Sequence, residues 1–173
     1  MNRMNSMAAC ATLLIALAGL FTVRHAAAAA SGVVPVAVAN FDYRDTSGEV
    51  KNQTAQHAKR MRLFDKLLRD RLATERHYDL RRIDCKKQAC SAGTMDPDAL
   101  IEAARHAGAR LLIYGGIHKM STLIQWGNVQ VLDLHNKKLL LDRTFTFRGD
   151  TDKAFRKAAE FIAQTLQNVA PKS

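Results

Sequence analysis

LLIYGGIHKMSTLIQWGNVQVLDLHNKKLLLDRTFTFR, residues 111–148, decides the fold. It opens on a nearly continuous apolar run over 111–117, the pattern of a strand buried on both faces. The Gly115-Gly116 pair inside that run signals a bulge or a close backbone approach. Residues 123–134 and 139–148 read as two further strands, joined through His135, Asn136, Lys137 and Lys138. The last strand alternates, with Leu139, Leu141, Phe145 and Phe147 on one side and Asp142, Thr144, Thr146 and Arg148 on the other. Arg143 interrupts the inner row.

Upstream, 33–41 (VVPVAVANF) is another buried strand, and the polar stretch 42–52 reads as a loop. Over 54–75 the period becomes helical. Met61, Phe64, Leu67, Leu68 and Leu72 share one face, and Lys59, Arg62, Lys66 and Arg69 lie opposite. Arg71 falls among the apolar positions and must extend its stem outward. A half-exposed strand follows over 77–83. Asp96-Pro97 starts a second helix, with a capping carboxylate and a first-turn proline. Leu100, Ile101, Ala104 and Ala107 repeat along it until Gly108 stops it. Downstream, Gly149 ends the last strand and Asp150 or Thr151 caps a helix with the stripe Phe155, Ala159, Ile162, Leu166 and Val169. Helices between early strands give parallel crossovers, and the late hairpin adds an antiparallel part. The expected fold is α/β (α+β): one mixed, twisted sheet covered by helices, in the order β-α-β-α-β-β-β-α. Residues 31–173 form a single domain in this reading, with no internal repeat or long linker.

The N-terminus fixes a compartment. Arg3 precedes the apolar run 8–23, and Ala26 to Ala30 form a small-residue tract, which together read as a cleaved export signal over 1–30. The run is too short to span a membrane and is closed by Arg24 and His25, so the protein is expected to be periplasmic and not transmembrane after cleavage. Cys10 leaves with the signal. Cys85 and Cys90 remain, and in an oxidising compartment a local disulfide is their simplest reading; a redox pair or half of a metal site are the alternatives. The chain carries a formal charge of +10, and loss of Arg3 and Arg24 leaves +8. That balance attracts polyanions, meaning lipid headgroups or lipopolysaccharide in an envelope, and no nucleic-acid signature accompanies it.

Four stretches carry a resemblance: VAVANFDYRDTSGE, KRMRLFDKLLRDRL, LLIYGGIHKMSTLI and FRGDTDKAFRKAAEF. Together they resemble an exported bacterial family classed as a domain of unknown function. The layout is more remotely similar to the N-terminal domain of TolB and to the curli secretion protein CsgG. The resemblance implies a periplasmic mixed α/β domain that works through protein contacts. The chain lacks TolB's propeller and has no long amphipathic hairpins for a pore, so neither Tol function nor transport carries over.

The first candidate site is the polar stretch after the first strand, with Asp42, Asp45, Thr46 and Ser47, joined by His118 and Lys119 at the end of the third. Ligands of open α/β sheets bind beyond the carboxyl ends of strands, so these residues suit a small ligand or an anion. An ordinary polar turn is the plainer reading. The carboxylates Asp42, Asp45 and Glu49 do not match a calcium loop. Asp42, His118 and Ser121 invite a hydrolase reading, but no G-x-S-x-G elbow or H-E-x-x-H pair supports it. The five histidines after the signal are scattered singly, so neither a metal nor a cofactor is expected. Lys59, Arg62, Lys66 and Arg69 suit an acidic partner or anionic surface, or simply a solvated helix face. Trp126 is either a packed ring or an exposed anchor. Arg148-Gly149-Asp150 spells an adhesion tripeptide, yet strand end, turn and helix cap explain it. These features favour a non-enzymatic envelope protein that binds another envelope protein. A small-ligand domain is the alternative and a hydrolase the last.

Overall fold

The protein is described by a computed structural model over residues 32–86, 88–167 and 169. The expected export signal lies outside the described residues. The elements are β1 (Val34–Val38), β2 (Asp42–Asp45), α1 (Thr54–Thr74), β3 (Tyr78–Arg81), α2 (Pro97–His106), β4 (Leu111–Lys119), β5 (Ile124–Asp133), β6 (Lys138–Arg148) and α3 (Asp152–Leu166). They build one six-stranded mixed sheet, open at both ends, in the order β3-β1-β4-β5-β6. β1 runs parallel to both β3 and β4, and β4-β5-β6 form an antiparallel meander. The expected fold class and order are those observed.

One stretch expected to be a loop is a strand. Residues 39–41 interrupt the first strand, after which β2 resumes beside the same neighbour: β1 pairs along Leu111 to Ile113, and β2 along Gly116 to Lys119. The break leaves three N–H groups that cannot all join the ladder, and each finds an acceptor. Ala39 donates to the Ile113 carbonyl (2.8 Å), Asn40 to the Cys90 carbonyl (2.7 Å) and Phe41 to Asp65 Oδ1 (3.2 Å). The polar composition of β2 hid it, because a strand held by a distant partner needs no apolar run of its own.

Gly115 explains itself at the same place. A Cβ there would overlap the Asn128 carbonyl oxygen and lie 2.7 Å from the Phe41 ring, whereas at Gly116 its nearest neighbour is 3.4 Å away. Only the first glycine of the pair is a close approach.

Helices α1 and α3 lie side by side on one face of the sheet. Met61, Phe64, Leu68 and Leu72 meet Phe155, Ala159, Ile162 and Leu166 above Val36, Val38, Ile113, Val129 and Val131. Arg71 does point outward, to Glu160 (3.3 Å). Helix α2 covers part of the opposite face, where Leu100 and Ala104 pack on Ala37, Ala39, Leu112 and Leu134. Asp96 caps it, accepting from Asp98 N (3.0 Å) and Ala99 N (3.3 Å). The two crossovers therefore pass on opposite faces, β1 to β3 through α1 and β3 to β4 through α2. Beyond α2 the second face is uncovered, and Asp142, Thr144, Thr146 and Arg148 of β6 are exposed. Cys85 and Cys90 are bonded, with their Cα atoms 5.5 Å apart, in the connection from β3 to α2.

Candidate functional site

Lys119 ends β4 as an alkyl-ammonium with no exposed surface at all. A buried ammonium is tolerable only if it is fully paired. Its Nζ donates to Glu49 Oε2 (2.7 Å) and Asp150 Oδ2 (2.8 Å), and Asp45 Oδ2 lies 3.7 Å away. Asp150 also accepts from His57 Nε2 (2.9 Å) and from Arg60. His57 Nδ1 is 3.7 Å from Asp45, and Arg60 Nε is 3.5 Å from Asp152. The cluster thus joins the end of β2, the end of β4, the first turns of α1 and the turn into α3.

Burial alone would pull the Lys119 ammonium down, but the hydrogen bonds from Asp150 and Glu49 and the charges of Asp150 and Asp45 outweigh it and hold the group above the usual lysine range. Burial likewise pushes the Asp150 carboxyl up, and Lys119, His57 and Arg60 overcome that to hold it below the usual carboxylate range. Tyr43, over the His57 ring at 4.7 Å, is raised well above ordinary tyrosine by burial and by Asp150 and Asp45. A lysine kept protonated in this way is neither a nucleophile nor a base. Its chemistry is to bind four chain segments at one point. Among the described residues no group of three or more His, Cys, Asp or Glu side chains is placed to hold a metal ion.

The first candidate site is divided by the structure. Asp45, Lys119 and Glu49 meet in the cluster. Asp42 faces away from it, accepting from Ser91 Oγ (2.6 Å) and Gly93 N (2.7 Å), and so holds the turn after the disulfide. Thr46 Oγ1 and His118 Nε2 are 2.6 Å apart, and Ser47 N donates to Asp45 Oδ1 (2.9 Å). His118 packs on Trp126, ring centroids 5.5 Å apart, while Ser121 Oγ accepts from Leu123 N (3.3 Å) and Ile124 N (3.1 Å). Asp42, His118 and Ser121 therefore serve three separate hydrogen-bonded sets. Reading the sequence missed His57, Arg60 and Asp150 as members of the cluster. His57 looks like any polar residue in a helical first turn, and Asp150 like a cap; Thr151 takes that role instead, accepting from Ala154 N (3.2 Å).

Of the helix stripe, Lys59, Arg62 and Lys66 are exposed, and Lys66 pairs with Asp70 (2.5 Å). Arg69 is half-buried and donates to the Val38 carbonyl (3.0 Å) and Asn40 Oδ1 (2.8 Å). Trp126 is half-buried on the uncovered face, in register between His118 and Thr146. Beside it, at the β4–β5 tip, Met120, Leu123 and Ile124 are 53, 62 and 44 % exposed. The tip is firmly held: Met120 N and Ser121 N donate to the Ile124 carbonyl (3.2 and 3.3 Å), and Ser121 Oγ closes the turn from the other side.

The chain belongs to the DUF3280 family, described as a protein of unknown function (DUF2380), whose model matches residues 34–166. Among solved structures it is similar to a dodecamer of a PelC variant from Paraburkholderia phytofirmans, at 14 % identity and a TM-score of 0.50, over 82 % of this chain and 92 % of that one. It is also similar to TolB from Acinetobacter baumannii, at 12 % identity and a TM-score of 0.45, over 78 % of this chain and 28 % of that one. The C-terminal domain of LpoB from Salmonella enterica matches at 13 % identity and a TM-score of 0.45, over 69 % of this chain and 85 % of that one. No protein of curated function matches. At such identities the likeness to PelC speaks for the fold alone.

Proposed function

We propose that this protein is an exported, non-enzymatic accessory protein of the bacterial envelope, and that it binds another envelope protein through the β4–β5 tip and the uncovered face beside it. The observation that carries this reading is the exposed apolar group Met120, Leu123 and Ile124 next to Trp126, on a tip fixed by its own hydrogen bonds. Apolar side chains held rigidly in water lose little entropy on docking, and a tryptophan beside them is the usual kind of anchor. Strand β6 adds an unpaired edge among the described residues, which a partner strand can extend. The basic surface speeds encounter with an acidic partner.

The test is a mild crosslinking pull-down from envelope extracts, comparing the wild-type protein with a Leu123→Asp, Ile124→Asp variant. A protein recovered at fixed stoichiometry by the wild type and lost with the variant supports the reading. Equal recovery by both removes it, and native mass spectrometry separates a hetero-complex from self-assembly. Turnover in a general hydrolase screen that disappears in His118→Ala would replace it with the enzymatic alternative.

A further inference from the structure

Helices α1 and α2 leave the sheet on opposite faces, following the neighbouring parallel strands β1 and β3. In open α/β sheets such a reversal leaves a crevice outside the carboxyl ends of the two strands, and that is where ligands bind. The structure has a cleft of about 480 Å³ at this place, floored by Val38, Leu80 and Ile83 and rimmed by Arg69, Arg81 and Arg82. The volume lies in the range of small-molecule sites. Asn40 and Cys90 complete the wall, so the broken strand and the disulfide loop both shape it.

Among the described residues, no carboxylate lines this cleft. Arg81 is neutralised by Asp79 (2.5 Å), but neither Arg69 nor Arg82 has an ion-pair partner among the described residues. Two guanidiniums from different elements thus line one cavity without a direct ion pair. Arg69 is held there by the Val38 carbonyl and Asn40 Oδ1, with Asp65 acting on it from α1, and Arg82 makes no side-chain hydrogen bond among the described residues. A guanidinium presents a planar fork of donors suited to bidentate binding of oxyanions. A phosphate monoester carries about −1.5 to −2 charge at neutral pH, enough to engage both Arg82 and the remaining donors of Arg69, whereas a single carboxylate would leave one unmatched. The apolar floor suits a ligand with an apolar body. We propose that this cleft binds a phosphate monoester group borne on a partly apolar molecule, with Arg69 and Arg82 as its principal ligands.

Phenyl phosphate is the probe, titrated into the purified protein at low salt and followed by backbone amide shifts of Asn40, Leu80, Arg82 and Ile83. Saturable shifts confined to these amides are expected, with affinity reduced tenfold or more in Arg82→Gln. This arginine is exposed and makes no side-chain hydrogen bond among the described residues, so its loss spares the fold. Lys138→Gln, which removes the same charge at the far edge of the sheet, should leave affinity unchanged. A parallel arm uses vesicles with and without phosphatidic acid: binding only to the vesicles that carry it, lost in Arg82→Gln, identifies a lipid headgroup as the source, and binding of phenyl phosphate alone identifies a soluble one. Equal losses in Arg82→Gln and Lys138→Gln, or no saturable response in either arm, overturn the assignment. The β4–β5 tip is not involved, so this result and the pull-down stand or fall separately.

Discussion

At the scale of single residues, two buried ionisable groups act in opposite senses. Lys119 holds Glu49, Asp150 and Asp45 about one ammonium. Replacing it with Met keeps the volume but leaves three carboxylates without their shared cation, at a cost of about 3–5 kcal/mol. Urea unfolding at pH 7 measures this. Asp150 and Asp45 are held below the ordinary carboxylate range, so the stability they confer is present above about pH 4 and lost as pH falls below it. Asp65 does the reverse. Burial, against the Phe41 hydrogen bond and Arg69, raises its carboxyl to about 6. The folded state then binds a proton more tightly than the unfolded chain, so this group's contribution declines as pH rises from about 4 to 6 and stays unfavourable above. Asn at this position can still accept from Phe41 N. Asp65→Asn should therefore stabilise the protein by roughly 1–3 kcal/mol at pH 8 and change little at pH 4. Denaturation at the two pH values decides it; equal effects at both would show that Asp65 does not titrate in this range.

At the scale of elements, the helices were legible and β2 was not. The 3.6-residue period in α1 and α3 is written in side chains that bury against the sheet, and the Asp96-Pro97 start of α2 is chemistry local to the sequence. β2 reads Asp-Tyr-Arg-Asp, and nothing in those four residues shows that β4 supplies its backbone partners. The glycine pair was legible as a close approach but not as to which glycine. The packing separates them: Gly115→Ala should cost about 2–3 kcal/mol by forcing the Phe41 ring and β5 apart, while Gly116→Ala should stay within about 1 kcal/mol. Thermal unfolding of the two variants checks this. The disulfide is a local staple, closing a short loop between β3 and α2. On chain entropy, its removal in Cys85→Ser, Cys90→Ser costs about 2 kcal/mol. Because Cys90 also walls the arginine-rimmed cleft, the same variant should bind phenyl phosphate more weakly, which the amide titration reads directly.

At the scale of the whole molecule, the sheet is protected unevenly. Two helices seal one face, one helix seals part of the other, and the β4–β5 tip stands clear with its apolar residues in water. Leu123→Asp, Ile124→Asp should therefore leave the unfolding midpoint within about 0.5 kcal/mol of wild type while abolishing partner recovery. The candidate site was only half legible for the same long-range reason. Asp45 and Lys119 were found because both lie at strand ends, but His57, Arg60 and Asp150 reach the cluster only through the packing of α1 on α3, and no spacing in the chain announces that. The placement of Asp150 has a further consequence. It is made after Asp45, Glu49, His57, Arg60 and Lys119, so a chain that stops before residue 150 keeps Lys119 on Glu49 and Asp45 but leaves Arg60 without either of its acids, Asp150 and Asp152. Such a fragment has every strand but lacks α3, whose Phe155, Ala159, Ile162 and Leu166 close the core over the sheet, so its interior stands open.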